Sequence, residues 1–227
     1  MDGILYVVST PIGNLKDISE RAVSTLKLVD FVVAEDRERA RKLLNSIGVK
    51  KSIVTINSYT EKKKAKVIVK KIKNGASCAL ISGAGTPCIS DPGFFVVSSC
   101  HDERIEVKVV PGPSALTAAI AVSGIPMDRF LFWGFLPQRK SKKRKILKEL
   151  AGFPYPIIFF ESPRRLLETL RLIHEMLGLR RIAIMREMTK IHEEVIRTNT
   201  EKAPELFETK NLLGEFTIIV DRAERRE

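Results

Sequence analysis

Three short segments dominated by small residues and proline have the composition of ligand-binding loops. They span residues 9–14, 82–87 and 111–114. In an open α/β sheet, ligands bind beyond the carboxyl ends of the strands, where small residues let backbone amides approach closely. A tight turn between a strand and a helix needs the same residue types. Because the composition recurs in three places, we expect these segments to line one shared cleft.

The densest positive charge lies in residues 139–145, where six of seven side chains are basic. This run follows an aromatic segment at residues 130–135, and a basic stretch can track a phosphate backbone without reading its sequence. A second lysine-rich segment, residues 62–66, is interpreted as a solvated helix face, because like charges four residues apart repel. The chain carries 39 Lys and Arg against 27 Asp and Glu, a charge of +12. This balance favours an anionic partner, but nucleic acid, an anionic membrane and simple solubility all fit it.

Several common kinds of site are missing from the sequence. None of the loops matches the GxGxxG fingerprint or the phosphate-binding P-loop, which disfavours an oxidoreductase or a nucleoside triphosphatase. The three cysteines are widely spaced, and His101, His174 and His192 lack the spacing of metal ligands. We therefore predict neither a disulfide framework nor a metal site. The sequence has no run of 18 apolar residues, which predicts no membrane span and a cytoplasmic protein.

The first half of the chain alternates short apolar strands with helical patterns. Strands are predicted at residues 4–9, 31–35, 53–57, 78–82 and 105–110. Their nearly unbroken apolar runs are typical of a sheet covered on both faces, so residues 1–122 are predicted to form a mainly parallel α/β domain. Asp17 is predicted to cap the first helix, with Glu20 completing a capping box. A linker is expected at residues 123–126.

A second α/β domain is predicted at residues 129–227. Its strands are expected at residues 130–135, 157–161, 182–186, 194–198 and 216–220. Helices are expected at residues 142–150, at 163–177 and at about 201–208. Some of these strands follow one another too closely for long crossover connections, so the second sheet is predicted to be mixed.

Eight motifs in order along almost the whole chain resemble a known family. They are LYVVSTPIGNL at 5–15, AEDR at 34–37, SGAGTPCISDPG at 82–93, PGPSA at 111–115, DRFLFWGFLP at 128–137, ESPR at 161–164, REMTK at 186–190 followed by HEE at 192–194, and GEF at 214–216. Together they resemble the cytidine 2′-O-methyltransferases of small-subunit ribosomal RNA, which belong to the tetrapyrrole methylase superfamily. Each motif alone is weak, and their order makes the resemblance specific.

The resemblance implies a two-domain class III methyltransferase fold, usually dimeric, with S-adenosylmethionine held in a cleft between the domains. It implies methyl transfer to a cytidine 2′-hydroxyl of 16S ribosomal RNA, free or in the small ribosomal subunit. By the same resemblance, the cofactor pocket is lined by Pro11, Ser82, Gly83, Ala84, Gly85, Thr86, Ser114, Ala115, Phe160 and Met185. The alternative for Phe160 and Met185 is ordinary strand packing.

Methyl transfer from a sulfonium is an in-line displacement, in which alignment of the two reactants should dominate. A carboxylate within hydrogen-bond reach can also take the hydroxyl proton, and the candidates are Glu35, Asp36 and Glu187. Each of these can equally be a surface or helix-capping carboxylate. Basic residues in the motifs and in the 139–145 run are expected to contact RNA phosphates. These are Arg37, Arg139, Lys140, Lys142, Lys143, Arg144, Arg164, Arg165, Arg186 and Lys190.

The chain departs from the family pattern at three positions. The family often has Pro at the position of Ser9, usually Asp at that of Gly83 and usually Thr at that of Arg37. Gly83 removes a carboxylate near the expected cofactor site, which leaves backbone groups to make that contact. Many relatives also continue into a helical extension, whereas this sequence stops seven residues after Val220.

Two other functions stay open at the sequence level. The first is methylation of a small tetrapyrrole, against which the basic run at residues 139–145 argues. The second is a non-catalytic RNA-binding protein that keeps the fold without binding the cofactor, as Gly83 and the missing extension would allow.

Overall fold

The computed structural model describes residues 3–208 and 212–223. They divide into two units, one within residues 1–114 and the other within residues 115–227. The predicted domain boundary at residue 122 lies inside a helix, α5 (Ala115–Ser123), that packs against the second sheet.

A parallel five-stranded sheet forms the centre of the first unit. Its strands are β1 (Leu5–Val8), β2 (Phe31–Ala34), β3 (Ser52–Thr55), β4 (Cys78–Ile81) and β5 (Val107–Val110), in the order β3-β2-β4-β1-β5. The last residue of β1, Val8, pairs with the last residues of both neighbours, Ile81 and Val110. The segments that follow β1, β4 and β5 therefore leave the sheet side by side. The predicted parallel sheet is confirmed.

Helices cover both faces of this sheet. They are α1 (Glu20–Leu28), α2 (Arg37–Ser46), α3 (Glu61–Lys73) and α4 (Phe94–Asp102). One buried cluster joins the sheet to α1 and α2, and another joins its opposite face to α3 and α4. This double coverage explains the continuous apolar strands.

The predicted cap of α1 is wrong. Asp17 lies in a short 3-10 turn, Leu15–Asp17, and the Ser19 hydroxyl instead accepts a 3.1 Å hydrogen bond from the amide of Ala22. Ser19 has extended backbone angles, the usual conformation of a residue that caps a helix start.

The second unit contains a mixed sheet, as predicted. Its strands are β6 (Leu131–Phe135), β7 (Ile157–Glu161), β8 (Arg181–Arg186), β9 (Glu194–Asn199) and β10 (Phe216–Val220), in the order β6-β7-β10-β8-β9. The β6–β7 pair is parallel, and the β7–β10, β10–β8 and β8–β9 pairs are antiparallel. The last strand thus lies at the centre of its sheet.

Helices α6 (Lys140–Leu150) and α7 (Pro163–Leu177) pack on one face of this second sheet, and α5 contacts β8, β9 and β10. The helix expected at about residues 201–208 is wrong. That segment forms turns and a single 3-10 helix, Glu205–Phe207, because Pro204 has no amide hydrogen to continue an α-helical ladder.

Three further properties hold for residues 3–208 and 212–223. No helix there combines the length and apolarity needed to cross a membrane. No three His, Cys, Asp or Glu side chains in these ranges group as ligands for a metal ion. Cys78 and Cys100 are buried, Cys88 is exposed, and all three thiols are free.

Candidate functional site

The three small-residue loops converge within the first unit. Thr10 and Gly85 exchange two backbone hydrogen bonds of 2.9 and 3.0 Å, which joins the loops after β1 and β4. The hydroxyl oxygen of Thr86 lies 3.0 Å from that of Ser9, and it donates to the carbonyl of Pro113 at 3.3 Å. All three loops therefore form one surface at the carboxyl edge of the sheet, which confirms that they lie together.

Two glycines leave room where these loops touch. Gly85 has a φ of +83°, and a Cβ there would lie 3.2 Å from Cγ2 of Ile12. A Cβ on Gly112 would lie 3.1 Å from Cβ of Ser9. Any larger residue at Gly85 would combine an unfavourable backbone conformation with a steric contact.

The predicted cofactor residues of the first unit take two roles. Ser82 and Gly85 are buried, and the Ser82 hydroxyl donates to the Gly85 carbonyl at 2.9 Å, so this pair shapes the loop. The others keep exposed surface, which they need in order to touch a ligand; they are Pro11, Gly83, Ala84, Thr86 and Ser114. Ala115, the first residue of α5, is also partly exposed. Small, uncharged residues with accessible backbone suit close approach of a nucleoside such as that of S-adenosylmethionine.

Phe160 and Met185 lie on one face of the second sheet. Both pair with Thr217 of the central strand β10. Phe160 is partly exposed, but Met185 has 0% exposed surface and is a core residue in this structure. The predicted contact of Met185 with a cofactor is therefore not supported, and strand packing accounts for its position.

Arg39 lies beside Gly83, a neighbour that the sequence analysis missed. A Cβ on Gly83 would lie 3.5 Å from the Nη1 atom of Arg39, and apart from its chain neighbours no other described residue would lie within 4 Å of it. The side chain of Arg39 faces Asp36 across 3.8 Å. The spacing of Asp36 and Arg39, three residues apart on a helix, is the one signal that could have drawn attention to this arginine.

Two of the three candidate bases, Asp36 and Glu187, accept hydrogen bonds from backbone amides. Asp36 caps α2, accepting from the amides of Glu38 at 2.8 Å and Arg39 at 3.0 Å. The hydrogen bond from the Arg39 amide is the strongest influence lowering the pKa of Asp36 below its ordinary value. Glu35, by contrast, is exposed and has no partner in the described part of the chain.

Glu187 organises the loop after β8. Its Oε1 atom accepts from Nζ of Lys190 at 2.7 Å and from the amide of Glu215 at 3.0 Å. Burial would raise the pKa of Glu187, but these hydrogen bonds and the positive charges of Lys190 and Arg186 together outweigh it and hold the pKa below its ordinary value. A Cβ on Gly214 would overlap the Glu187 carboxylate, so a larger residue there would displace that side chain. A carboxylate whose pKa is lowered is a weaker proton acceptor.

Five of the ten residues predicted to contact RNA instead bind other groups of the protein. Lys143 is fully buried, with Nζ 3.1 Å from Glu168 and 2.9 Å from the Thr169 hydroxyl, so the structure does not support its predicted contact with RNA. The cause is its helix face, which it shares with the buried Leu147 and Leu150. The other four pair with acidic side chains: Arg144 with Glu175, Arg165 with Glu161, Arg186 with Glu194, and Lys190 with Glu187 and Glu215.

The remaining five cations are exposed and available. None of them forms an ion pair or side-chain hydrogen bond within the described ranges. We refer to them as the free cations; they are Arg37, Arg139, Lys140, Lys142 and Arg164.

Lys142 and Lys143 provide a matched test of this division. We expect Lys143→Ala to lower the free energy of unfolding by about 2–4 kcal/mol, because it removes a buried, hydrogen-bonded side chain. Lys142→Ala should change it by less than about 0.5 kcal/mol and should weaken RNA binding. Chemical denaturation and RNA titration of both variants measure the two effects, and a stable Lys143→Ala protein with impaired RNA binding would contradict the assignment.

Comparison with known proteins identifies relatives over nearly the full length. The model of the tetrapyrrole (corrin/porphyrin) methylases matches residues 4–204. Ribosomal RNA small subunit methyltransferase I of Thermotoga maritima is 49% identical over 222 residues, covering 98% of this chain and 100% of that protein. The protein of the same name from Haemophilus influenzae is 42% identical over 224 residues, covering 97% of this chain and 79% of that protein.

Similarity to solved structures concerns the fold. A crystal structure of diphthine synthase aligns with a TM-score of 0.75 at 14% identity, covering 96% of this chain and 89% of that one. The family model therefore matches most of the sequence that forms the parallel sheet, the mixed sheet and the converging loops. The chain belongs to the tetrapyrrole (corrin/porphyrin) methylase family and, within it, to the group named ribosomal RNA small subunit methyltransferase I.

Proposed function

We propose that the chain transfers the methyl group of S-adenosylmethionine to the 2′-hydroxyl of a cytidine ribose in 16S ribosomal RNA. The relatives at 49% and 42% identity are named for methylation of small-subunit ribosomal RNA, which supports the substrate class. The observation that carries the proposal is the convergence of the three small-residue loops at one sheet edge. The protein would act in the cytoplasm as a homodimer, as in the family that its motifs resemble.

The loops of the first unit are the proposed cofactor site. S-adenosylmethionine, when bound, supplies an electrophilic methyl group on a sulfonium. Gly83, Ala84 and Thr86 would hold it through backbone groups and one hydroxyl, with Pro11 and Ser114 on the adjoining loops. Since Gly83 offers no carboxylate, the neutral backbone makes the contact that an aspartate would otherwise make.

Alignment of the ribose is proposed to provide most of the rate, because the hydroxyl proton can be taken as the oxygen–methyl bond forms and need not leave beforehand. Glu35 is the best placed of the three carboxylates to take the hydroxyl proton. It directly follows β2, the neighbour of β4 in the sheet, so it lies at the same edge as the loop after β4. Its side chain is exposed and unpaired within the described residues, unlike those of Asp36 and Glu187.

The free cations are proposed to bind the RNA backbone. Four of them, Arg139, Lys140, Lys142 and Arg164, lie at or near the starts of α6 and α7. Both helices follow strands of the parallel β6–β7 pair, so their first turns lie at the same edge of the second sheet. This concentration of charge favours RNA over a small tetrapyrrole.

Transfer of label from S-adenosylmethionine to 16S ribosomal RNA or small subunits tests the proposal. A 2′-O-methyl group blocks alkaline cleavage at its own phosphodiester, so we expect the label in an alkali-resistant dinucleotide. Label in ordinary mononucleotides would indicate base methylation and overturn the proposed atom. A calorimetric titration in which millimolar S-adenosylmethionine gives no heat would instead favour a non-catalytic RNA-binding protein.

A further inference from the structure

An irregularity in the edge strand β6 places an additional aromatic side chain outside the regular ladder. Phe132 pairs with Ile158 of β7, but the next pair joins Gly134 to Phe159, so two steps along β6 match one step along β7. This is a β-bulge, and Trp133 is its unpaired residue. The bulge also returns Phe135 to the face of Phe132, where both rings contact Phe160, at centroid distances of 5.7 and 4.9 Å.

The aromatic residues at this edge are exposed. In the folded chain, Trp133 is 38% exposed and Phe135 is 52% exposed. β6 is the terminal strand of its sheet, so Trp133 and Phe135 lie at an open edge among the described strands. Two exposed aromatic side chains two positions apart on an edge strand offer apolar surface that a partner can cover.

Three of the free cations lie near the end of β6. Phe135 and Arg139 are four positions apart in the chain, so connectivity limits the distance between their Cα atoms to about 14 Å. Lys140 follows at the start of α6. The start of α7 lies close to the end of β6, because the guanidinium of Arg165 donates to the Leu136 carbonyl at 2.9 Å. Arg164 therefore also lies near the end of β6.

We infer that Trp133 and Phe135 form a stacking platform for unpaired bases of the RNA, with phosphates of the same strand on Arg139, Lys140 and Arg164. The inference rests on the proposed function, since it describes how that substrate is held. A single strand offers bases that can stack on aromatic rings and phosphates that bind cations, whereas the bases of a duplex are already stacked on one another. The charge of the surrounding residues selects this occupant over a second copy of the chain, which would bring the same positive charge to the surface.

The chain contains a single tryptophan, so its fluorescence reports on Trp133 alone. The probe is a mixed-sequence single-stranded RNA of about 12 nucleotides, within the site sizes of single-strand-binding proteins. We expect this RNA to quench the emission, and the same sequence as a duplex to quench it far less. Emission that changes with protein concentration in the absence of RNA would show that a second copy covers Trp133, and it would overturn the inference.

Substitutions separate stacking from charge. We expect Trp133→Ala to raise the Kd for the single strand roughly 5- to 100-fold without changing the slope of log K against log salt. Trp133→Phe should recover most of the affinity, because phenylalanine also stacks. The matched control is Tyr59→Ala in the first unit, where a 95% exposed aromatic ring should be dispensable. Equal affinities for Trp133→Ala, Tyr59→Ala and wild type would overturn the inference.

Failure of the stacking inference and failure of the proposed function have different signatures. Circular dichroism and denaturation of each variant first establish that it folds. If wild-type protein labels RNA but the Trp133 variants bind it normally, only the stacking platform is wrong. If wild-type protein quenches on RNA yet never labels it, the stacking stands and the proposed methyl transfer is wrong.

Discussion

Replacing Gly85 with alanine should weaken binding of S-adenosylmethionine at least tenfold, and replacing it with valine should weaken it roughly 100-fold, about 1.4 and 2.7 kcal/mol. Gly85 has a φ of +83°, and its missing Cβ leaves room for Ile12. Its backbone is hydrogen-bonded to Thr10 on the loop after β1. A side chain at this position would therefore push apart the loops that are proposed to hold the cofactor. Calorimetric titration with S-adenosylmethionine measures the loss.

Gly48→Ala is the matched control for Gly85→Ala. Gly48 also has a positive φ, +69°, but a Cβ there would meet nothing within 4 Å. Both alanine variants should lose about 1 kcal/mol of unfolding free energy from the backbone conformation alone. Only Gly85→Ala should also lose cofactor affinity. If both variants bind the cofactor equally well, the loops after β1 and β4 are not the binding site.

The second large effect concerns RNA. Replacing Arg139, Lys140, Lys142 and Arg164 together with alanine should reduce the slope of log K against log salt by about 3. Each phosphate contact on a single strand contributes roughly 0.7 to that slope. The same relation gives a loss of roughly several hundred-fold in affinity at about 0.1 M salt. Because these side chains are exposed and unpaired among the described residues, the variant should fold normally. Binding isotherms at several salt concentrations measure both quantities.

A control of equal charge change distinguishes a binding site from general attraction. Helix α3 carries four exposed lysines, Lys62, Lys63, Lys66 and Lys70. Replacing all four with alanine also removes four positive charges. We expect this variant to keep nearly the full salt slope, because a solvated lysine face without bound phosphates releases no counterions. Equal slopes for the two quadruple variants would mean that only net charge matters and that the free cations form no defined site.

Strands and loop positions were predictable because their signals are local. A continuous apolar run defines a buried parallel strand, and the carboxyl ends of adjacent parallel strands necessarily meet at one edge. The convergence of Ser9, Gly85 and Pro113 follows from that rule once β1 lies between β4 and β5. The order of the strands is itself a tertiary property, however, and no single segment encodes it.

Helix α5 escaped prediction for a physical reason. Its sequence, ALTAAIAVS, is apolar on nearly all sides, so it lacks the alternation of polar and apolar faces that marks a surface helix. A helix with this pattern is stabilised by what packs around it, here the strands β8, β9 and β10. Its preceding proline- and glycine-rich loop further obscured where it begins.

Charge partners were the least predictable part of the site. Lys142 and Lys143 are identical neighbours in the sequence, yet one is exposed and the other is buried beside Glu168 and Thr169. The same holds for Glu187, whose carboxylate stabilises Lys190 and the backbone of Glu215. Such pairings join residues that are distant in sequence or that differ only in helix face, so a count of charges cannot reveal them.

Mass spectrometry of the nucleosides of 16S ribosomal RNA, after incubation with S-adenosylmethionine that carries a deuterated methyl group, tests the account most directly. We predict that the label appears in cytidine, on the ribose fragment and not on the base, and that Gly85→Val protein transfers little of it. Label on a base, or RNA that stays unlabelled under conditions where the wild-type protein binds the cofactor, would contradict the account.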